Sequence, residues 1–298
     1  MKRFLAAAVA AVSLVLAACT SSDPLGGDTG GGGSPGEIVV GSADFTENEL
    51  LMEIYAAALR STGAQVRTRP RIGSREITVP ALRDGSLTVV PEYTGNLLQY
   101  VDKGNTATGS DEVYAALRAK LPEGLEVLAK SPAEDRDVLV VTQETAERLG
   151  LRSMTDLGPR CGELVLGAAG EWRARWEKRI QELYGCTFRE IRTTDAGGPV
   201  TVRALQNGEV QVANLFTTAS VIRENNFVEL ADPEQMYPAQ NVVPLVRSGA
   251  LGQEQREALD RVSAALDTAR LTELVRRVEV DREPAPDVAA EFVGSLGL

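Results

Sequence analysis

The chain has 298 residues and a formal net charge of −11, from 31 Lys and Arg against 42 Asp and Glu. An acidic balance of this size argues against nucleic acid as a partner and against a basic membrane-binding surface. The chain contains no histidine, which excludes Ser-His-Asp and Cys-His catalytic arrangements. Its few cysteines cannot complete a tetrahedral metal site, so we expect neither a metal ion nor a cofactor.

The N-terminus has the layout of a secretory signal peptide over residues 1–18, since Lys2 and Arg3 precede an apolar run that ends in "LAAC". A transmembrane anchor is the less favoured alternative, because the run is shorter than the about 20 residues that a spanning helix needs. "LAAC" also resembles the bacterial lipobox, which implies that Cys19 is acylated after cleavage. Residues 19–36 are rich in Gly and Ser and predict a flexible tether. We therefore expect an extracytoplasmic protein of the cell envelope, with the lipid as its only membrane contact.

The first folded stretch, "GEIVVGSADFTENELLMEIYAAALRSTGAQVRTRPRI", predicts a strand, a helix and a second strand. The first strand is the apolar run 38–40, and Gly63 stands where the helix should stop. The next stretch, "SREITVPALRDGSLTVVPEYTGNLLQYV", repeats the pattern with a helix over 77–82, Gly85 at its end and a strand over 87–90. This repetition favours a mostly parallel sheet covered by helices.

A second block, from "RDVLVVTQETAERLG" to "FVELADPEQ", again alternates short Val- and Leu-rich strands with amphipathic segments. The tail returns with "NVVPLVRS" and then predicts a single helix. The apolar residues near one face of this helix are Leu259, Val262, Leu266, Leu271, Leu274 and Val275. We therefore expect an α/β protein with two lobes. The first comprises residues 37–137 and 243–298, and the second comprises residues 138–242.

Two cysteines, Cys161 and Cys186, remain in the folded part of the chain. Disulfides persist in oxidising compartments such as the one expected here. We predict that these two residues form a disulfide. Two buried free thiols are the alternative, because spacing alone does not establish the Cα approach that a bridge requires.

The folded part of the chain has no G-x-S-x-G elbow, S-x-x-K pair or P-loop, which are common catalytic motifs. The carboxylates of Asp135, Asp137 and Asp195 leave an exported carboxylate-dependent enzyme as an alternative. Small-molecule sites favour domain interfaces and the carboxyl ends of parallel strands. We therefore predict that the protein is not an enzyme and that it binds a small-molecule solute in a cleft between the lobes.

Three stretches resemble the glycine betaine/choline/carnitine (osmoprotectant) type of ABC-transporter substrate-binding lipoprotein: "IVVGSADFTENELLMEIYAAAL", "IGSREITVPALRDGSLTVVPEYTGNLL" and "PAQNVVPLV". The resemblance implies the two-lobed type II periplasmic-binding-protein fold. It also implies a monomer that delivers a solute to the subunits of an ABC permease. A sensor or scaffold that keeps the fold without transport remains open as an alternative.

In that family the tyrosine of "PEYTG" forms one wall of an aromatic cage and the next threonine donates to the ligand, which implies these roles for Tyr93 and Thr94. A quaternary ammonium has no N–H to donate, so cation–π attraction to ring faces holds it. The segment "EWRARWE" places Trp172 at an aromatic position and Arg175 at the position of an arginine that grips a carboxylate. The remaining ligand residues implied by the resemblance are Phe45, Thr46, Glu47 and Ser74.

Three other cage positions depart from the tyrosine of the family, because the resemblance places Asp137, Phe216 and Gln240 there. Phe216 keeps a ring face, whereas a carboxylate at Asp137 gains most from ligands that carry N–H or O–H groups. We therefore expect weak binding of glycine betaine and a preference for a hydroxylated or less methylated relative.

The lipobox generates a prediction about Cys19. Cells that express the intact chain should incorporate a fatty-acid analogue into it, because the acyl group is attached to this side chain. A Cys19→Ala variant should lose both the label and the membrane association. Equal labelling and equal membrane retention of the variant would contradict lipidation at Cys19.

Overall fold

The computed structural model describes residues 36–195 and 197–298. The predicted signal peptide, the lipidation at Cys19 and the tether as far as residue 35 lie outside these residues. In the described part, the strands are β1 Ile38–Gly41, β2 Val66–Arg69, β3 Val89–Tyr93, β4 Leu125–Val127, β5 Asp137–Val141, β6 Val165–Ala168, β7 Glu190–Thr193, β8 Val212–Phe216, β9 Val228–Glu229 and β10 Val242–Arg247.

The first helices of the chain are α1 Thr46–Ser61, α2 Arg75–Asp84, α3 Thr94–Val101, α4 Ser110–Lys120, α5 Gln143–Leu149 and α6 Met154–Leu157. A 3₁₀ helix follows at Gly158–Glu163. The later helices are α7 Gly170–Tyr184, α8 Pro199–Gln206, α9 Val221–Glu224, α10 Gln253–Ala265, α11 Thr268–Glu279 and α12 Ala285–Ser295. Within the two described ranges, no helix combines the length and the apolar character that crossing a membrane requires.

The strands form two five-stranded sheets, which define the two lobes. The first lobe contains the sheet β2-β1-β3-β10-β4, and the second contains the sheet β7-β6-β8-β5-β9. Strand β10 runs antiparallel to both of its neighbours, and β5 does the same in the second sheet. The other strands of each sheet share one direction. The predicted two-lobed α/β fold with mostly parallel sheets is confirmed.

Each sheet is covered on both faces by helices, as parallel strands require. One apolar cluster packs α1, α10, α11 and α12 against the first sheet, and a second cluster packs α2, α3 and α4 on the other face. In the second lobe, α6 and α7 lie over one cluster and α8 over the other. The apolar strand runs read from the sequence are therefore buried on both sides.

The local signals in the first lobe position its helices as predicted, with longer elements than expected. Gly85 ends α2 with a φ of 86°, a left-handed conformation that glycine adopts without steric cost. The strand predicted over 87–90 is shifted, because β3 runs from Val89 to Tyr93. Tyr93 is therefore both the last residue of the strand and the residue that precedes α3.

The single helix predicted for the C-terminal tail is wrong. The chain breaks between α10 and α11 at Leu266, whose ψ of 102° is not helical. Asp267 then caps α11 by accepting a hydrogen bond from the backbone N–H of Arg270. An aspartate in this position stabilises a helix start, and the periodicity of the apolar residues did not reveal it.

The chain passes between the two sheets at two places. Strand β5 enters the second sheet at Asp137, and β10 returns to the first sheet at Val242. Just before these strands, Glu134 and Asn241 form an isolated antiparallel bridge, so the two passages lie side by side. The lobe boundaries given by the sequence stay a prediction.

A disulfide joins Cys161 in the 3₁₀ helix to Cys186, which follows the glycine that ends α7. The two Cα atoms lie 5.3 Å apart, and both side chains are buried in the core of the second lobe. The predicted pairing is present in the structure. It fixes the end of α7 to the segment that leads into β6.

Removing the disulfide should destabilise the second lobe, because the bridge closes a loop with a sequence separation of 25. The chain-entropy relation gives a loss of about 3.5 kcal/mol for a loop of this length. Urea denaturation of a Cys161→Ser, Cys186→Ser double variant, monitored by circular dichroism, measures the loss. Two reactive thiols in the unfolded, unreduced parent protein would contradict the bridge.

Candidate functional site

A cavity of about 720 Å³ lies beside the carboxyl ends of β1 and β3. Phe45 and Tyr93, the residues that directly precede α1 and α3, both line it. Because β1 and β3 are parallel neighbours, their following loops emerge at the same edge of the sheet. The topology therefore brings together two aromatic residues that are far apart in sequence.

The rings of Phe45 and Tyr93 form one wall of this cavity. Their centroids are 6.1 Å apart and their planes differ by 29°, which is a stacked arrangement. Phe45 is 41% exposed, whereas Tyr93 is only 4% exposed. Phe45 therefore presents most of the accessible aromatic surface, and Tyr93 supports it from the interior.

The hydroxyl of Tyr93 donates a hydrogen bond of 2.7 Å to Oε1 of Glu47, in the first turn of α1. Burial raises the pKa of Tyr93 well above its usual value, and the nearby Glu47 carboxyl raises it further. Burial likewise raises the pKa of Glu47 well above the usual range, with a second contribution from Asp135. The phenol therefore keeps its proton, and its ring is held in one orientation.

Arg175 reaches the same cavity from α7 of the second lobe. Its Nη2 donates to Oδ1 of Asn96 on α3, at 3.4 Å. The guanidinium also lies over the ring of Trp176, with its carbon 5.0 Å from the ring centroid. The guanidinium of Arg175 is thus oriented by Trp176 on the same helix, and it reaches from the second lobe to Asn96 on the first.

An ion pair between Arg75 and Glu92 forms another part of the cavity wall. Both Nε and Nη2 of Arg75 donate to Oε2 of Glu92, at 3.0 and 2.7 Å. Burial raises the pKa of Glu92 even though the Arg75 charge opposes the shift. The backbone N–H of Tyr93 also donates to this carboxylate. The pair therefore anchors the strand end that carries the aromatic wall.

Four of the predicted ligand residues line the cavity: Phe45, Ser74, Tyr93 and Arg175. The hydroxyl of Ser74 already donates to the carboxylate of Glu76. The carboxyl of Glu47 lies behind Tyr93 rather than in the wall. The Thr46 hydroxyl lies 3.5 Å from a guanidinium nitrogen of Arg71, away from the cavity.

Thr94 and Gln240, both predicted to contact ligand, instead hold the start of α3. Thr94 is fully buried; its hydroxyl donates to the carbonyl of Ala239 and accepts from the N–H of Asn241. The side-chain oxygen of Gln240 accepts from the N–H of Asn96 at 2.9 Å. These bonds use polar atoms that the resemblance had assigned to a ligand, so neither residue lines the cavity.

Trp172 lies in the core of the second lobe, not in the cavity wall, and is 2% exposed. Its indole nitrogen lies 2.9 Å from both Oδ1 of Asn214 and the hydroxyl of Tyr237. The amide nitrogen of Asn214 in turn donates to Oδ1 of Asp137 at 2.8 Å. The predicted aromatic wall at Trp172 is therefore replaced by a buried polar network.

Asp137 and Phe216 are cross-strand partners where β5 begins and β8 ends. Directly opposed residues of an antiparallel pair point to the same face of the sheet. Asp137 lines a smaller cavity of about 270 Å³ together with Tyr237. The structure thus brings Asp137 and Phe216 together, but on the second lobe and apart from the larger cavity.

The carboxylates considered for catalysis have separate roles. Asp195 accepts from the backbone N–H groups of Val200 and Thr201 at the start of α8. Burial alone would raise its pKa, but the hydrogen bonds from Thr201 and the backbone lower it. Asp135 accepts from the hydroxyl of Thr218, and burial raises its pKa to about 6. In the two described ranges, no acidic or cysteine cluster has a geometry suited to a metal ion.

The sequence did not identify Asn96, Arg75 or Glu92 as cavity residues. The position of Asn96 in the cavity could have been predicted, because it falls in the first turn of the helix that begins after Tyr93. The positions of Arg75 and Glu92 could not, because their pairing depends on how α2 packs beside β3. The larger cavity also contains Gln99, Tyr100 and Lys103 along α3 and just beyond its end.

Residues 36–295 match the family described as the substrate binding domain of the ABC-type glycine betaine transport system. The chain belongs to this family. A glycine-betaine-binding protein of Pseudomonas aeruginosa is 28% identical over 272 residues, which cover 85% of this chain and 86% of the relative. The glycine betaine-binding protein YehZ of Escherichia coli is 28% identical over 276 residues, which cover 87% and 90%.

Solved structures agree with this assignment. A glycine betaine/carnitine/choline ABC transporter structure superposes with a TM-score of 0.79 at 19% identity, covering 87% of this chain and 98% of that one. Apo YehZ from Escherichia coli superposes with a TM-score of 0.72 at 27% identity, covering 88% and 99%. The fold is that of these binding proteins, and the function of the chain is substrate binding for ABC-type transport.

The contact between α3 and the segment before β10 predicts that Gly95→Ala is destabilising. A Cβ at Gly95 would lie 2.6 Å from the carbonyl oxygen of Ala239 and 3.1 Å from Nε2 of Gln240. Overpacking of this kind costs about 1–3 kcal/mol, which urea denaturation measures. Gly294→Ala in α12 is the control, since nothing lies within 4 Å of its added Cβ. Equal midpoints for both variants would contradict the close contact.

Proposed function

We propose that this protein captures a small zwitterionic solute of the betaine class in the 720 Å³ cavity and presents it to an ABC permease. The observation that carries the proposal is that Arg175 of the second lobe faces the same cavity as the Phe45–Tyr93 wall of the first. The aromatic faces suit a cationic end, and the guanidinium suits an anionic end. A zwitterion can therefore bind the aromatic wall of the first lobe and Arg175 of the second at the same time.

The comparisons support this solute class. The relatives named above bind glycine betaine, and a further relative, 22% identical, is a carnitine transport binding protein of Listeria monocytogenes. Both solutes carry a quaternary ammonium and a carboxylate. Such an ammonium offers no hydrogen-bond donor, so its recognition depends on ring faces and negative potential.

Closure of the lobes would complete the site in this proposal. We assign residues 37–137 and 243–298 to the first lobe and 138–242 to the second. Asp137 and Phe216 stand at the strand ends of the second lobe, on one face of its sheet. We infer that closure carries this pair toward the aromatic wall, where Phe216 adds a third ring face and Asp137 a negative charge.

Even with Phe216 added on closure, a wall of three rings holds a trimethylammonium group less completely than a closed cage of tyrosines. We therefore keep the expectation that glycine betaine binds weakly and that less methylated or hydroxylated relatives bind better. The polar lining supports this preference, because Asn96 and the Arg75–Glu92 pair offer hydrogen-bonding partners that a quaternary ammonium cannot use.

The cellular setting follows from the same proposal. The protein would act as a monomer outside the cytoplasm, anchored by an acylated Cys19, without catalysis and with a permease as its macromolecular partner. Its acidic net charge suits contact with basic surfaces. Mass spectrometry of a solute recovered after binding tests the absence of catalysis, since an enzyme would return an altered compound.

Arg175→Ala should selectively weaken solutes that carry a carboxylate. Hydrogen bonds to charged groups contribute about 1.5–3 kcal/mol, which corresponds to an affinity loss of about tenfold or more for glycine betaine and carnitine. Choline has no carboxylate, so its affinity should change much less. Isothermal titration calorimetry with the three compounds measures this difference.

Arg173→Ala is the matched control, because Arg173 lies two positions earlier on α7 and pairs with Glu177 at the surface. It should leave all three affinities unchanged. Equal losses for choline and glycine betaine in the Arg175 variant would contradict carboxylate recognition. Absence of binding by every probe to the unmodified protein would contradict the proposed solute class.

A further inference from the structure

The carboxyl of Glu47 occupies a buried position directly behind the aromatic wall. It lies in the first turn of α1, is 6% exposed and accepts the hydroxyl proton of Tyr93 at 2.7 Å. Thr218, which follows β8 of the second lobe, lies near it and lowers its pKa. Glu47 therefore contacts the ring that faces the solute and lies close to the segment that leaves the opposite sheet.

A second carboxyl, that of Asp135, lies beside it on the passage between β4 and β5. Thr218 donates to Oδ1 of Asp135 at 2.8 Å, and the backbone N–H of Asp135 donates to the carbonyl of Gln240. The two acidic groups thus share Thr218 as a neighbour at the junction of the lobes. Both carboxyls belong to the lobe that contains residues 37–137, and Thr218 belongs to the other, so movement of one lobe against the other changes the position of Thr218 relative to the pair.

Acidic groups on two packed elements raise the pKa values of this pair. Asp137 at the start of β5 and Glu279 at the end of α11 both raise the pKa of Asp135, and Glu279 also raises that of Glu47. Two arginines lie near these groups. Arg136, which follows Asp135 in the chain, pairs with Glu134 at 3.9 Å, and Arg282 lowers the pKa of Glu279.

Burial raises both carboxyl pKa values, and the negative charge of each neighbour adds to the shift. The value for Asp135 is raised to about 6, and that for Glu47 well above its usual range. Two neighbouring carboxyls in a desolvated place do not both ionise easily, so a state in which the pair retains one proton is favoured. None of the contacts described above for the solute site uses this proton.

We propose that Glu47 is a positioning residue for the solute site, which holds Tyr93 through its hydroxyl and shares one proton with Asp135 at the lobe junction, so that cation binding releases this proton. The inference rests on the proposed function, because it assigns the cationic end of the solute to the Phe45–Tyr93 wall. A cation bound beside Tyr93 lowers the pKa of the Glu47–Asp135 pair. By linkage, ionisation of the pair raises the affinity for the cation.

A rise in pH ionises the pair, which lowers the stability of the solute-free protein and raises the affinity for a cation. A carboxyl whose pKa is raised in the folded protein contributes stability that is present below its unfolded value, about 4, and lost as the pH rises through the folded value. The contribution of this pair to the Tm of the solute-free protein should therefore fall as the pH rises from about 4 through about 6. The affinity for a permanent cation should rise over the same window.

The proton itself is tested by ¹³C NMR of protein labelled at the glutamate side-chain carboxyls. One resonance, absent from the Glu47→Gln variant, should titrate well above the others in the solute-free protein. Glu53→Gln is the matched control, since Glu53 is another buried carboxyl of α1, with Arg60 rather than Tyr93 as its neighbour. A Glu47 resonance that titrates with the exposed glutamates would overturn the shared proton.

The coupling to binding is tested with choline, a permanent cation with no titratable group in this pH range. Between pH 5 and pH 8 its affinity should rise about fivefold or more. Glu47→Gln keeps an acceptor for the Tyr93 hydroxyl, so it should retain binding but lose most of the rise; Glu47→Leu should lose affinity at every pH. Glu92 also lines the cavity, and its pKa is raised. Any part of the pH-dependent rise in choline affinity that comes from Glu92 should therefore persist in Glu47→Gln.

The two kinds of failure are distinguishable. An affinity profile in Glu47→Gln that parallels the unmodified protein would overturn the positioning role, whatever the fate of the proposed solute class. Absence of choline, carnitine and glycine betaine binding would refute the proposed function, and the carboxyl resonance would still decide the shared proton. If Glu47→Leu does not fold, Glu47→Gln and the Glu53→Gln control carry the comparison.

Discussion

The arrangement of both lobes depends on the hydrogen bonds of one buried residue, Asn241. Its carbonyl accepts from the N–H of Thr94, and its own N–H donates to the Thr94 hydroxyl. Its side chain donates to the carbonyl of Ser131 and accepts from the hydroxyl of Ser110. It also bridges Glu134 on the other passage between the sheets. Because a buried amide must satisfy all these groups, α3, α4 and both passages have little freedom to move separately. The start of α3, and with it Tyr93, is fixed to the two passages between the lobes.

Much of the fold could be predicted from the sequence, because the signals are local. Apolar runs, glycines at helix ends and the repeated strand–helix pattern specify most elements of the first lobe. The single C-terminal helix was wrong because a cap at Asp267 interrupts a continuous apolar stripe. The site was less predictable, for a related reason. The family motif locates Tyr93, but the hydroxyl of Thr94 and the amide of Gln240 find partners within the protein. Which polar side chains remain available to a solute depends on tertiary contacts that no local pattern contains.

The aromatic wall stands in front of acidic groups, and this arrangement has an electrostatic consequence. Glu47 and Asp135 lie behind Tyr93, and burial raises both of their pKa values, which shows that their ionisation is costly. A hydrogen bond from a phenol to a carboxyl makes the ring more electron-rich as the carboxyl ionises, and this strengthens attraction to a cation on its face. The wall therefore does not need a complete cage of rings to attract positive charge. A buried negative potential can replace part of what the missing tyrosines supply in the family.

The two polar residues at the substituted cage positions, Asp137 and Gln240, form hydrogen bonds within the protein. Asp137 accepts from Asn214, and Gln240 accepts from the backbone of Asn96, so each has a hydrogen-bond partner within the protein. Such partners lower the cost of burying a polar group. In the proposed site, recognition before closure is then concentrated on Phe45 and Tyr93 in the first lobe and on Arg175 in the second. An asymmetric site of this kind favours an order of events in which the solute first settles on the aromatic wall. In the proposed site, Arg175, which contacts Trp176 and Asn96, is then the group of the second lobe that meets the bound solute.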